Sequence, residues 1–326
     1  MKLTLQENRL LDVICLGRAG VDLYANEHNA DFSQVSSFTK YVGGSPANIA
    51  VALTKLNCNV GFVSALSDDM LGDYVRDYLI EKGVNLDGVQ TSPEGSRTSL
   101  AITEMKADNC GVVIYRNKAA DLELDPEKIS SDYIASAKLL LVTGTALAQS
   151  PSREATFVAM EFARSNNTQV VLDIDYRAYS WNSLQEAADC LRKAASFSDV
   201  LIGNREEFDV LEKGLAIDEP SDSKTAKRFL SNVTKIVVLK AGHLGSKTYT
   251  IDGQFIQQAI FPVDVVKPFG AGDSFAGSLL YSIVKGLPLE QGLRFGAAAA
   301  SINVSSDNCT EAMPTIAEIE AFLDGQ

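Results

Sequence analysis

Between Lys138 and Leu239 the chain repeats one pattern: a short apolar run, then a stretch with helical spacing. The runs Lys138–Thr143, Gln169–Asp173, Val200–Ile202 and Lys235–Leu239 lack polar alternation and are too short for helices, so they read as strands covered on both faces. Pro151–Ser165, Ser183–Ser196 and Glu206–Leu211 between them read as helices. Strands that alternate with helices imply a parallel sheet with helices on both sides, which fixes the fold class as α/β. Asp12–Gly17 and Val60–Ala65 add two more buried strands, and Asp69–Lys82 an amphipathic helix stopped by Gly83.

Two stretches interrupt this rhythm. Thr98–Met105 and Gly111–Tyr115 are β-rich and joined by Lys106-Ala107-Asp108-Asn109-Cys110, a hairpin by length and composition; Val35–Val42 alternates loosely. Later, Ser246–Ile251 and Gln254–Ile260 turn through Asp252-Gly253 as a second hairpin, and helices at Ala271–Lys285, Leu289–Val304 and Thr315–Leu323 close the chain. There is no internal repeat, low-complexity segment or linker, and 326 residues with 46% hydrophobic content are ample for one large domain.

A formal charge of −13 argues against a nucleic-acid surface, so any anionic ligand must be held by a few local cations. The five cysteines, Cys15, Cys58, Cys110, Cys190 and Cys309, are scattered without metal-ligand pairing and read as reduced thiols. The first residues lack the apolar run of a signal peptide and no window is apolar enough to span a bilayer; the expected location is the cytoplasm, without a membrane partner.

Chemistry concentrates at Val266–Phe275. Gly270, Ala271 and Gly272 form a flexible turn that opens a helix, so backbone N–H groups and the positive helix end face one spot, an anion-binding geometry. Asp273 lies at this junction, where a phosphate would repel it; it is either a base for an attacking hydroxyl or the N-cap of the helix. Lys267, just before the turn, either points to solvent or sets its ammonium against the Gly270–Asp273 turn. Far upstream, Gly43-Gly44-Ser45-Pro46-Ala47-Asn48 places two glycines at a second helix mouth, with Ser45 as N-cap, Pro46 as first helical residue and Asn48 one turn in.

Gly270-Ala-Gly-Asp-Ser-Phe275, following Gly43-Gly-Ser-Pro-Ala-Asn48 in that order, resembles the paired signatures of the PfkB (ribokinase-like) sugar kinases, from about Asp12 onward. The resemblance implies a ribokinase-like parallel-sheet sandwich with a small β-sheet lid, built as one domain over 1–326 with lid segments near 18–42 and 97–118. It implies a homodimer through that lid sheet, and ATP with Mg²⁺ as cofactors. Asp273 then becomes the catalytic base beside the Gly270, Ala271 and Gly272 anion turn, and Asp22, Gly43, Gly44 and Asn48 hold sugar hydroxyls. Asn204 and Glu207 match the family's Asn-x-x-Glu motif, which organises Mg²⁺ through water, although an acidic first turn is also ordinary helix capping. Lys240, Gly242 and Gly245 match a nucleotide loop, with Lys240 either meeting a phosphate or solvated, and Asn303 matches a position beside the adenine.

Within the family, Lys267-Pro268-Phe269 and Asp173-Ile174-Asp175-Tyr176-Arg177 are most similar to the branch that phosphorylates 5-dehydro-2-deoxy-D-gluconate in inositol breakdown. In keto-sugar-acid kinases, arginines in the settings of Arg116 and Arg177 bind the substrate carboxylate; the alternative is that they pair with Asp121 or Asp175. A sugar acid is therefore the expected substrate, with 2-keto-3-deoxygluconate and then fructose behind it. A non-catalytic sugar sensor would not need Asp273, and the glycine spacing and C-terminal position of the motif disfavour a dinucleotide dehydrogenase.

Overall fold

The computed structural model describes residues 2–106, 110–216 and 221–326. In chain order the first elements are β1 (Leu11–Leu16), β2 (Gly20–His28), β3 (Phe38–Gly43), α1 (Ser45–Lys55), β4 (Val60–Leu66), α2 (Met70–Glu81), β5 (Asn85–Thr91), β6 (Leu100–Met105), β7 (Val112–Tyr115), α3 (Ser131–Ala135), β8 (Ala137–Thr143) and α4 (Ser152–Ser165). There follow β9 (Gln169–Asp173), α5 (Leu184–Ala195), β10 (Val200–Asn204), α6 (Arg205–Glu212), α7 (Asp222–Phe229), β11 (Ile236–Lys240), β12 (Ser246–Thr250), β13 (Phe255–Gln258), α8 (Ala271–Val284), α9 (Leu289–Val304) and α10 (Ile316–Asp324).

The large sheet has the order β13-β12-β11-β10-β9-β8-β1-β4-β5. It is parallel from β11 to β5, and the β12–β13 hairpin adds an antiparallel edge. Because successive strand residues face opposite sides, Ile14, Leu16, Leu140 and Val142 pack on α4 and α5, while Val13, Cys15, Leu139 and Leu141 pack on α1 and α8. These side chains are fully buried, each worth about 1.5–3 kcal/mol of apolar transfer.

A second, four-stranded sheet has the order β3-β2-β6-β7, with β2 and β6 parallel and the other pairs antiparallel. The chain crosses from β1 into it at Gly17, where φ is +144° and an added Cβ would lie 2.8 Å from Thr143 Oγ1. The fold class is thus the expected one, with the large sheet mostly parallel and a small one beside it.

β5, α3 and α7 escaped the sequence reading, and β2 was covered only by the lid segment near 18–42. β5 is polar and half-exposed because it is the sheet edge, so it carries no apolar run. α7 is a short surface helix begun by Ser221, whose hydroxyl accepts from the Lys224 N–H. Of the predicted Lys106–Cys110 turn, residues 107–109 lie outside the described residues. Among the described residues no helix is long and apolar enough to cross a membrane.

Candidate active site

β9, β10 and β11 end at Asp173, Asn204 and Lys240, and these C-terminal ends line the same cleft as Asp22, Thr103 and Ile114 of the small sheet, in the place where α/β sheets put ligand sites. The cleft measures about 870 Å³ and is lined by residues from both sheets and from the first turns of α1 and α8.

The floor is the start of α8. Gly270 is the N-cap at φ 90°, and Ser274 is the first residue whose N–H bonds back into the helix, to Gly270 O at 3.0 Å. The N–H groups of Ala271, Gly272 and Asp273 therefore belong to the unpaired first turn and present donors at the positive helix end. Asp273 is not the N-cap, which settles one alternative. Its carboxylate accepts from Ser45 Oγ at Oδ1 and from Asn48 Nδ2 at Oδ2, each at 2.7 Å.

That pair of contacts corrects the reading of the upstream motif. Gly44, at φ 108°, is the N-cap of α1; Ser45 is its first residue and Pro46 its second. With a backbone cap in place, the Ser45 hydroxyl is free to face the other helix. An ionised carboxylate can only accept, so the contact with Asp273 itself fixes the Asn48 amide with its NH₂ toward that carboxylate, while Thr310 Oγ1 lies between Val42 O at 2.6 Å and Asn48 Oδ1 at 2.9 Å. Burial pushes the Asp273 carboxyl up to about 6; the two hydrogen bonds oppose this, while the negative charges of Asp175 and Asp173 add to it.

Asp22 comes from β2 and is buried, accepting from Arg18 Nη2 at 3.3 Å and Tyr24 Oη at 3.4 Å. Burial raises its pKa against the pull of Arg18. Gly43 has a different role from the one expected: it does not line the cleft, but an added Cβ would lie 2.1 Å from the Asp22 carboxylate, so its bareness makes room for Asp22. Gly44 does line the cleft.

At the ends of β9, β10 and β11 sits a group of alternating charges. Lys240 Nζ is 3.2 Å from Asp173 Oδ1, Arg177 Nη2 is 2.8 Å from Asp175 Oδ1, and Arg177 Nη1 is 3.8 Å from Glu207 Oε1. The nearby anions outweigh the effect of burial and hold the Lys240 pKa above its ordinary value; Asp175 first, then Glu207, does the same for Arg177. Asp175 holds φ 34°, unusual for a non-glycine residue. Asn204 and Glu207 form a capping box, Oδ1 accepting from Glu207 N at 2.8 Å and Oε2 from Asn204 N at 2.7 Å. The ordinary capping role is therefore present, yet both side chains also line the cleft.

Both expected arginines line the cleft, and both are paired. Arg116 is buried, donating from Nε to Asp121 Oδ2 at 3.0 Å and from Nη2 to Thr145 O at 3.0 Å. Arg177 keeps 48% of its side chain exposed. Sequence reasoning passed over Arg18, Ser45, Thr145 and Tyr179, which also line the cleft; only Ser45, inside the glycine motif, carried a signal that could have found it.

Near α9 the cleft has an apolar slot lined by Ile260, Val263 and Val265 after β13 and by Ala297, Ala300 and Val304 of α9; Gly242 and Gly245, both at positive φ, also line the cleft. Asn303 was expected here and is not a lining residue. It is fully buried behind α8, with Nδ2 donating to Cys309 O at 2.8 Å and Oδ1 accepting from Lys267 Nζ at 2.8 Å, because its place on α9 turns it inward.

The joined sheets, the paired helix mouths and the carboxylate between them are those of a sugar-kinase fold, and the chain belongs to the pfkB family of carbohydrate kinases, whose family model matches residues 10–316. The chain is 56% identical over 323 residues to the 5-dehydro-2-deoxygluconokinase of Photobacterium profundum, covering 99% of this chain and 98% of that protein. Among solved structures, Xylella fastidiosa fructokinase with bound ATP aligns at a TM-score of 0.85 and 26% identity, over 97% of this chain and 98% of that one. A double mutant of Vibrio cholerae O395 fructokinase, in a form with fructose, ADP and potassium ion bound, aligns at 0.82 and 25% identity, over 97% and 99% of the two chains.

Proposed function

We propose that this chain transfers the γ-phosphoryl group of ATP to the 6-hydroxyl of 5-dehydro-2-deoxy-D-gluconate, giving the 6-phosphate and ADP. The observation that carries the reading is the Asp273 carboxylate, held by Ser45 and Asn48 at the open first turn of α8. Asp273 takes the hydroxyl proton, the freed oxygen forms its bond to the γ-phosphorus, and the bond from that phosphorus to the ADP oxygen breaks. The N–H groups of Ala271, Gly272 and Asp273 stabilise the charge that gathers on the moving phosphoryl oxygens.

The nucleotide fits the slot beside α9, whose apolar walls suit a planar base, with Gly242 and Gly245 allowing close backbone approach and Lys240 toward the phosphates. Among the described residues no cluster of three or more His, Cys, Asp or Glu could cage a metal. Mg²⁺ keeps most of its water and needs few carboxylates, so Glu207, buried at the cleft wall with Oε2 engaged by Asn204, suits a contact through water. When bound with the nucleotide, Mg²⁺ would neutralise phosphate charge.

For the sugar, Asp22, Gly44 and Asn48 offer groups for hydroxyls, and Arg177, exposed into the cleft with Arg116 near it, offers positive charge for a carboxylate. That charge favours a sugar acid over fructose. The name of the Photobacterium relative supports the same substrate. Val112, Val113 and Tyr115 leave an exposed apolar edge on β7, which supports a homodimer through the small sheet, and five free thiols suit the cytoplasm. The test is an ATP-consumption screen against 5-dehydro-2-deoxygluconate, 2-keto-3-deoxygluconate and neutral sugars. Preference for fructose by kcat/KM would overturn the assignment.

A further inference from the structure

Lys267 is fully buried, a rare state for a lysine, and no carboxylate lies within ion-pair distance of it among the described residues. Its Nζ donates to three oxygens instead: Phe269 O at 2.8 Å, Asn303 Oδ1 at 2.8 Å and Asn303 O at 3.1 Å. An ammonium has three donors, matched here one for one, whereas a neutral amine would turn its lone pair on one of those oxygens. The ligands are all carbonyl-type, the kind of shell that replaces water around a potassium ion.

The place of this charge matters as much as its shell. Lys267 N and Val266 N both donate to Val304 O, at 3.3 and 2.9 Å, which fixes the segment on the C-terminal turn of α9. The ammonium thus lies at the negative end of α9 and directly behind the turn that begins α8. A trans peptide is planar with its C=O and N–H opposed. Since Phe269 O faces Lys267, the N–H of Gly270 is turned the other way, toward the cleft that Gly270 lines. The turn fits closely over the cage: a Cβ on Gly270 would lie 2.4 Å from Asn303 Oδ1 and 3.3 Å from Lys267 Nζ.

We propose that Lys267 is a built-in cation, a positioning residue whose ammonium holds the Gly270–Asp273 turn in its anion-binding shape and supplies the charge that a bound monovalent ion would otherwise bring. Phosphoryl transfer then runs without such an ion. The proposal rests on the kinase reading above and goes beyond it.

The test compares potassium chloride with tetramethylammonium chloride at equal ionic strength. Wild-type kcat is the same in both salts; a tenfold or larger activation by potassium overturns the proposal, and this arm depends on no variant. Lys267→Ala leaves a hole lined by the three oxygens, and Lys267→Met fills it without charge. In tetramethylammonium both variants lose about 10- to 100-fold in kcat with sugar KM little changed, the pattern of a lost transition-state contribution. Potassium or ammonium ion restores Lys267→Ala and not Lys267→Met. Folded variants with wild-type kcat, or a folded Lys267→Ala that no cation restores, reject the charge role. ATP affinity measured by calorimetry without sugar is equal in the two salts for the wild type, and a tenfold gain in potassium counts against the proposal. Because that readout uses no sugar, it stands even if 5-dehydro-2-deoxygluconate proves to be the wrong substrate.

Discussion

Ser45 Oγ donates to Asp273 Oδ1 at 2.7 Å across 228 residues of sequence, joining the first turn of α1 to the first turn of α8. With Asn48 on the other oxygen, the carboxylate is held by one bond on each side, leaving lone pairs for a substrate hydroxyl. Asp273→Asn keeps the shape of this contact and removes the base. It is expected to lower kcat by ~10²–10⁴ while ATP affinity and the melting temperature hold. Turnover above half of wild type would remove Asp273 from that role.

The same carboxylate sets an acid limb. Its working form is the ionised one, and its pKa is pushed up to about 6, so kcat/KM is expected to fall as pH drops through about 6, not through the ordinary carboxylate range near 4. The Ser45 bond lowers this pKa; Ser45→Ala should therefore move the limb to higher pH, by about one unit for a bond to a charged group. Parallel pH–rate profiles of the two proteins check the direction, and a limb that moves down, or not at all, contradicts it.

Arg177 and Arg116 should separate cleanly. Arg177 is half-exposed, so Arg177→Ala is expected to raise the KM of the sugar acid about 10- to 100-fold with the KM for ATP unchanged, and some stability is lost as well because buried Asp175 loses its ion-pair partner. Arg116→Ala leaves Asp121 buried with no counter-charge, and Asp121 Oδ1 already lacks a partner, so about 3–5 kcal/mol of stability is lost. Thermal melts and saturation kinetics on both variants distinguish a binding arginine from a supporting one.

Gly43→Ala tests the room left for Asp22. The added methyl would meet the carboxylate at 2.1 Å, so the carboxylate must move, at about 1–3 kcal/mol of overpacking. Sugar KM should rise with kcat for ATP turnover on saturating sugar nearly kept. An unchanged KM would mean that Asp22 does not touch the sugar.

The alternation of apolar runs and helical stretches from Lys138 to Leu239 determined a parallel sheet, because chain-local periodicity records which faces are covered. The two glycine motifs located both helix mouths for a similar reason: a helix start with φ above zero, as at Gly44 and Gly270, leaves a local mark. Which partner each side chain finds is not local. Ser45 reads as a cap until β1 and β8 are neighbours in the sheet and α1 lies against α8; Asn303 reads as a cleft residue until α9 turns it inward. Lys267 could equally have been solvated, since its residue type favours water, and only the convergence of Phe269 and Asn303 oxygens around it makes burial tolerable. Arg116 and Arg177 were legible as cations near the site, but whether each faces an internal carboxylate or the open cleft depends on how the small sheet sits over the large one. Sequence spacing sets what can fold locally; long-range packing sets the dielectric and the neighbours, and those decide what a charged or hydroxyl group does.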